Sequence, residues 1–81
     1  MMRIASQKIV QVDWVDSSVL TGWQTREEIE NLKDSLIHSI GFLVSLTKDA
    51  VTVSASYSTE THKFADAMTI PRKAILKIQY L

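Results

Sequence analysis

The chain contains no cysteine, so neither a disulfide framework nor a cysteine metal site can hold it together. Its nine basic and nine acidic residues cancel, which argues against the broad positive field of a dedicated nucleic-acid binder. No apolar run approaches membrane-spanning length, and residues 1–8 lack the apolar core of a signal peptide. We therefore expect a cytoplasmic protein with no membrane partner, built as one small domain over residues 1–81 with a loose start over residues 1–8.

Residues 40–58 carry the clearest structural signal, two apolar runs on either side of a polar break at residues 48–49. In each run, apolar residues alternate with small or polar ones, which is the pattern of a half-buried strand. A loop of two or four residues would pair Leu46 with Val51 or Val53, and both registers keep the apolar residues on one face. We therefore predict a hairpin with these inward residues: Phe42, Val44, Leu46, Val51, Val53, Ala55 and Tyr57.

Three further strands are predicted over residues 9–15, 67–70 and 75–81. The first alternates apolar and polar side chains and places Val10, Val12 and Trp14 on one face. Pro71 ends the ladder of the second strand, because proline has no amide hydrogen to donate. The segment before that strand, residues 59–66, is polar and is predicted to be a loop.

One helix is predicted over residues 26–34. Thr25 is followed three residues later by Glu28, and this spacing is a capping box that marks the beginning of a helix. Ile29 and Leu32 then follow at helical spacing. The helix is therefore short and amphipathic.

The order of these elements predicts a mainly β fold with one short helix. About five strongly bent strands in so short a chain favour a small antiparallel sheet or a partly open barrel, because closure removes unpaired sheet edges. The tight turn over residues 71–74 resembles the turn between the last two strands of SH3-like and Sm-like barrels. A core this small often depends on association, so we expect a homo-oligomer.

Four short motifs in order carry a resemblance that spans most of the chain. They are VDWVDS at residues 12–17, GW at residues 22–23, GFLV at residues 41–44 and IPRKAILKI at residues 70–78. Together they resemble small uncharacterised proteins of bacteriophages and prophages. The resemblance implies a viral accessory protein in the cytoplasm of the host, but it assigns no activity to any residue. The acidic-glycine turn of the first Sm motif is missing here, which weakens the likeness to Sm-type RNA binders.

Aromatic residues beside polar ones form the first candidate binding site. Trp14, Asp16 and Ser17 would place a ring beside a carboxylate and a hydroxyl, and Trp23 is close enough in sequence to join them. Aromatic rings stack on bases, and tryptophan is a frequent binding anchor. The alternative is structural, with Trp14 in the core, Trp23 covering the helix, and Asp16 with Ser17 in a turn.

A compact basic group, Arg72 and Lys73, forms the second candidate site. It could bind phosphate or an acidic partner, although basic residues of this kind are more often only solvated. The tight turn would display both residues at the rim of a barrel, where neighbouring subunits could share them. Tyr57 completes the set of candidate ligand-binding residues, and its ring could join those of the tryptophans if the fold brings them together.

Catalytic and metal-binding patterns are weak. His38 and His62 are far apart and lack metal-ligand spacing, so we predict no metal and no cofactor. Asp13 and Asp16 would point to opposite faces of a strand. Neither a nucleophile elbow nor a phosphate-binding glycine-rich loop occurs. The sequence therefore favours a protein that is not an enzyme.

Three functions remain open. The first is a phage or prophage binding module that acts against host defence, as a homo-oligomer that sequesters a nucleotide-type ligand between its subunits. The second is an assembly module that contacts phage or host proteins through sheet edges or barrel faces. The third is an Sm-like nucleic-acid binder, which the absence of net charge disfavours.

Overall fold

The computed structural model describes residues 7–18 and 20–81, so most of the predicted loose start lies outside the described residues. Within these ranges the chain forms five strands, one α-helix and one 3-10 turn. The elements in order are β1 (Ile9–Asp16), α1 (Arg26–Glu30), β2 (Ser35–Leu46), β3 (Ala50–Ser58), β4 (Lys63–Pro71), the 3-10 turn (Arg72–Ala74) and β5 (Ile75–Tyr80). The predicted mainly β fold is confirmed.

The five strands form a single antiparallel sheet in the order β4-β3-β2-β1-β5. The sheet does not close into a barrel, so β4 and β5 are its two edges in the described part of the chain. At one end, the amide of Arg72 donates to the carbonyl of Asp49 at 2.9 Å, and its Nε donates to the carbonyl of Thr47 at 3.0 Å. These bonds tie the 3-10 turn to the β2–β3 loop.

A small apolar cluster holds the sheet together. Val10 and Val12 are fully buried on one face of β1, as their alternation predicts. Among the described residues they share this cluster with the buried Val51, Val53 and Ile70. Partly buried side chains pack around it, namely Trp14, Leu43, Ala74, Ile75 and Ile78.

The hairpin register is predicted correctly at its loop and incorrectly further along the strand. Leu46 lies opposite Val51, which is one of the two predicted registers. The register then shifts between Leu43 and Ser45, because Val44 is an extra residue that forms a β-bulge. The bulge turns Leu43 towards the core, while Val44 is 40% exposed. The predicted inward positions of Val44, Leu46 and Ala55 are wrong, since all three are exposed.

The predicted helix begins as expected but is shorter. Thr25 caps it, since the Thr25 hydroxyl accepts from the amide of Glu28 at 3.2 Å. It ends at Glu30 rather than at residue 34, and no residue of α1 is buried. An isolated helix of this length is unstable in water without tertiary packing, so exposure of Ile29 explains the early end. No helix in residues 7–18 and 20–81 has the length and apolar composition of a membrane span.

Strand β4 is longer than predicted. It begins at Lys63, inside the segment predicted to be a loop, and continues to Pro71. The polar composition of its first half is compatible with an edge strand, because side chains on both faces of that half are exposed. Within the strand, Asp66 has a positive φ of 57°, a conformation that Asp tolerates better than most residues.

Candidate functional site

Beyond Ser54, strands β3 and β4 continue as a two-stranded arm, residues 56–65, that is not paired with β2. The pairing of β2 with β3 stops at Phe42 and Ser54, and beyond it β3 pairs only with β4 among the described residues. The Ser54 hydroxyl, buried at the base of the arm, contacts the carbonyls of Ser56 and Ala65. The base of the arm is therefore fixed, while most of its length has solvent on both sides.

The arm carries a cluster of aromatic rings. Tyr57 and Phe64 lie opposite each other in the ladder, with ring centroids 4.8 Å apart and planes tilted by 40°. Phe42 of β2 adds a third ring, 6.2 Å from that of Tyr57. The Tyr57 hydroxyl lies 2.9 Å from Nδ1 of His62, which is held at the arm's tip with a positive φ of 58°. These contacts orient the Tyr57 ring at both of its ends.

A cleft of about 230 Å³ lies against these rings. Lys63 is also among the residues that line it, but the alternation of β4 directs the Lys63 and Phe64 side chains to opposite faces of the arm. The cleft therefore offers aromatic rings on which a planar group can stack, with a lysine at its margin. Its lining residues are Ser56, Tyr57, Ser58, Lys63, Phe64 and Ala65.

Trp14 lies elsewhere, at the edge of the apolar cluster. Its indole packs against the cluster, and Nε1 donates to the Ser39 hydroxyl at 3.0 Å. Both the ring and its polar group are therefore engaged within the fold. This placement agrees with the structural alternative for Trp14.

The neighbouring candidates are not gathered around Trp14. Asp16 accepts from the amide of Ser17 at 2.8 Å, which is the local turn of the structural alternative. Trp23 is fully exposed in the connection between β1 and α1. It does not cover the helix, so its ring is available only to a ligand or partner from outside the described chain.

Arg72 and Lys73 lie at the end of the sheet opposite the arm. The ladder places Pro71 opposite Ala50, seven residues along β3 from Tyr57, which corresponds to about 23 Å. Within one protomer the basic turn and the Tyr57 ring therefore do not converge. Arg72 is engaged with the β2–β3 loop, while Lys73 is exposed.

A polar network that the sequence did not predict covers the outer face of β1. Asp13 accepts from the Gln11 amide at 3.0 Å and lies 2.6 Å from Nδ1 of His38 on β2. Lys77 of β5 is the ladder neighbour of Asp13 on the other side. The hydrogen bond from Gln11, followed by the contact with His38, holds the pKa of Asp13 below its ordinary value, although burial opposes this shift.

This network predicts a pH dependence of stability. Because the folded pKa of Asp13 is lowered, its stabilisation is complete above the ordinary carboxyl pKa of about 4 and is lost as pH falls through the folded value. Asp13→Asn is therefore expected to lower the melting temperature at neutral pH, and the difference should shrink below about pH 4. Thermal unfolding from pH 2 to 7 measures it, and an equal difference at every pH would contradict the assignment.

Two further features offer a ligand fewer interacting groups than the aromatic cleft does. A second cleft of about 240 Å³ is lined by Arg26, Ile29 and Glu30 beside the five-residue helix, and its lining has no aromatic face. The part of the chain that the structure describes contains no group of three or more His, Cys, Asp or Glu side chains that could hold a metal ion. His62 instead contacts Tyr57.

Neither a protein-family model, nor a curated protein, nor a solved structure matches this chain. The sequence supplies one residue of the candidate site in advance, Tyr57, but not Lys63 or Phe64. The alternation of polar and apolar residues near Phe64 is a weak signal, and only the pairing of β3 with β4 brings these side chains together.

Proposed function

We propose that the chain is a non-catalytic module that binds a nucleotide-type ligand in the aromatic cleft of the arm. The observation that carries this proposal is the 4.8 Å pair of Tyr57 and Phe64 rings at the cleft, whose lining residues also include Lys63. A base can stack on such rings, and a phosphate can accept from the ammonium.

The biological setting of the proposal rests on the sequence motifs. Their likeness to phage and prophage proteins supports an accessory protein of a virus, acting in the host cytoplasm. Capture of a nucleotide signal without turnover would withhold that signal from host defence. Such a role requires tight binding and no reaction, and the aromatic and basic groups of the cleft serve binding.

The binding proposal is tested by calorimetric titration with mono-, di- and cyclic nucleotides. A stacked base contributes about 1–3 kcal/mol, and a charge-assisted hydrogen bond about 1.5–3 kcal/mol. Phe64→Leu and Lys63→Gln are therefore each expected to weaken binding by roughly ten- to a hundredfold. Raised salt should also weaken binding, because it screens an exposed ammonium.

Matched controls separate this cleft from the basic turn. Lys73→Gln removes the same charge at the opposite end of the sheet, and Trp23→Ala removes a fully exposed ring. Both are expected to leave the affinity unchanged. If Lys73→Gln weakens binding and Lys63→Gln does not, the site lies at the basic turn instead. If the wild type binds no nucleotide at millimolar concentration, the proposal fails.

An assembly module is the second candidate function. Both edge strands carry exposed large apolar side chains, including Met68 on β4 and Leu76 on β5. Exposed strand edges accept further strands from a partner. A phage or host protein that co-purifies with the chain, together with no response to nucleotides or to single-stranded RNA, would favour this function over ligand capture.

A further inference from the structure

We infer that two copies of the chain associate through their arms, so that their aromatic clefts face each other and form one ligand pocket between subunits. This inference deepens the proposed function, because the pocket is the nucleotide site proposed above. It names the partner, a second copy of this chain, and the surface, residues 56–65. Four observations carry it.

The first observation is that no third strand among the described residues pairs with the arm. From Ser56 to Ser58, β3 pairs only with the Lys63–Ala65 part of β4 among the described residues. A two-stranded hairpin is only marginally stable in water and needs a third strand or a packed face. The Tyr57 and Phe64 rings supply an apolar face, which Phe42 covers only in part. A partner surface would complete the packing.

The second observation is the amount of exposed surface, 6608 Å². If the seven residues outside the described ranges were fully extended, they would account for about 1,100 Å² of it. The remainder still exceeds the roughly 4,600 Å² expected of a compact monomer of the other residues by about 900 Å². A standard interface buries about 800 Å² per partner. The excess is therefore enough for one interface with a second copy.

The third observation is the distribution of charge. The chain has no net charge, so two copies do not repel each other at long range. Residues 60–66, in the arm and directly after it, carry charges of both signs, with Glu60 and Asp66 on either side of Lys63. A twofold interface brings a patch against itself, and a patch of mixed sign can be complementary to itself.

The fourth observation is the size of the cleft. At about 230 Å³ and open to solvent, it is smaller than the roughly 300–1,000 Å³ typical of small-molecule sites. Two such clefts facing each other would provide a volume within that range. They would also supply a pair of aromatic rings from each side, which suits a ligand with two bases.

Light scattering of the full chain without ligand, over a wide concentration range, tests the association. The mass should rise above that of the 9.2 kDa monomer. Phe64→Glu should raise the dimer dissociation constant at least about tenfold, because it places a charge in the apolar centre of the contact. Leu76→Glu, an equivalent change on the opposite edge strand, should leave it unchanged. A monomer at every concentration, or dissociation by Leu76→Glu alone, would overturn the inference.

Spin labels locate the contact independently, because a chain without cysteine can be labelled at one introduced position. In an arm-to-arm dimer, labels at Ala65→Cys should be closer to each other than labels at Lys48→Cys in the far loop, by about 20 Å or more. The reverse order would overturn the inference. Nucleotide binding is measured separately by titration, so a dimer that binds no nucleotide contradicts the proposed ligand and leaves the contact standing.

Discussion

Val53→Asp is expected to abolish folding. Val53 is buried in the apolar cluster, where it lies between Leu43 and Met68 in the ladder. A carboxylate there would lose its hydration without gaining a counter-ion, at a cost of several kcal/mol. The lost burial of the valine side chain adds about 1.5–3 kcal/mol. A domain of this size has a total stability of only about 4–12 kcal/mol.

Val44→Asp is the matched control for this prediction. The β-bulge places Val44 outside the cluster, so the same substitution should leave a folded protein and change the free energy of unfolding by less than about 1 kcal/mol. Urea unfolding followed by circular dichroism compares the two variants. A cooperatively folded Val53→Asp protein together with an unfolded Val44→Asp protein would mean that the bulge is absent and that the simple alternation is correct.

Gly41→Ala is expected to destabilise the protein by about 2–3 kcal/mol, the upper part of the range for overpacking. Gly41 is buried, and an added Cβ would lie 2.6 Å from the carbonyl oxygen of Ser54. This neighbour is backbone in the middle of the sheet, so the strands themselves must move apart. Because Ser54 also holds the base of the arm, the variant should weaken nucleotide binding as well.

Gly22→Ala provides the comparison, since it tests backbone conformation without crowding. Gly22 has a positive φ of 87°, but a Cβ there would have no atom within 4 Å. Its cost is therefore limited to the left-handed backbone, about 1–2 kcal/mol at most. Chemical denaturation of both variants measures the difference. If Gly41→Ala were the milder of the two, the close approach of β2 and β3 at Ser54 would be wrong.

The sequence predicts the strands well where one face is buried. In β1, the alternation of Val10, Val12 and Trp14 matches the face that packs on the cluster. Thr25 marks the beginning of the helix because a cap is a local hydrogen bond between residues three apart. Signals of this kind depend only on neighbouring residues, so they can be found in the sequence.

Features that depend on distant residues are not predicted. The bulge at Val44 shifts the register between two strands, and nothing in the local alternation indicates it. The pairing of Asp13 with His38 joins residues 25 positions apart, so it requires the β1–β2 register. The helix ends early because no surface covers Ile29, which is a property of the tertiary fold.

The candidate site is only partly predictable from the sequence, because it also depends on residues that are distant along the chain. Tyr57 is selected from the sequence with the tryptophans and the basic turn, but within one protomer its neighbours are Phe42, Phe64 and His62. Proximity along the chain favours grouping Trp14 with Trp23, whereas the fold buries much of the first and exposes the second. A role for Arg72 and Lys73 in ligand binding stays a prediction.

Nuclear magnetic resonance mapping of a nucleotide titration locates the bound ligand on the fold, because each backbone amide of this small chain reports binding in its vicinity. We expect chemical-shift changes at residues 56–58 and 63–65, with a smaller change at the neighbouring Phe42 and none at the amides around Lys73. Changes confined to residues 72–74, or no changes at millimolar nucleotide, would contradict this expectation.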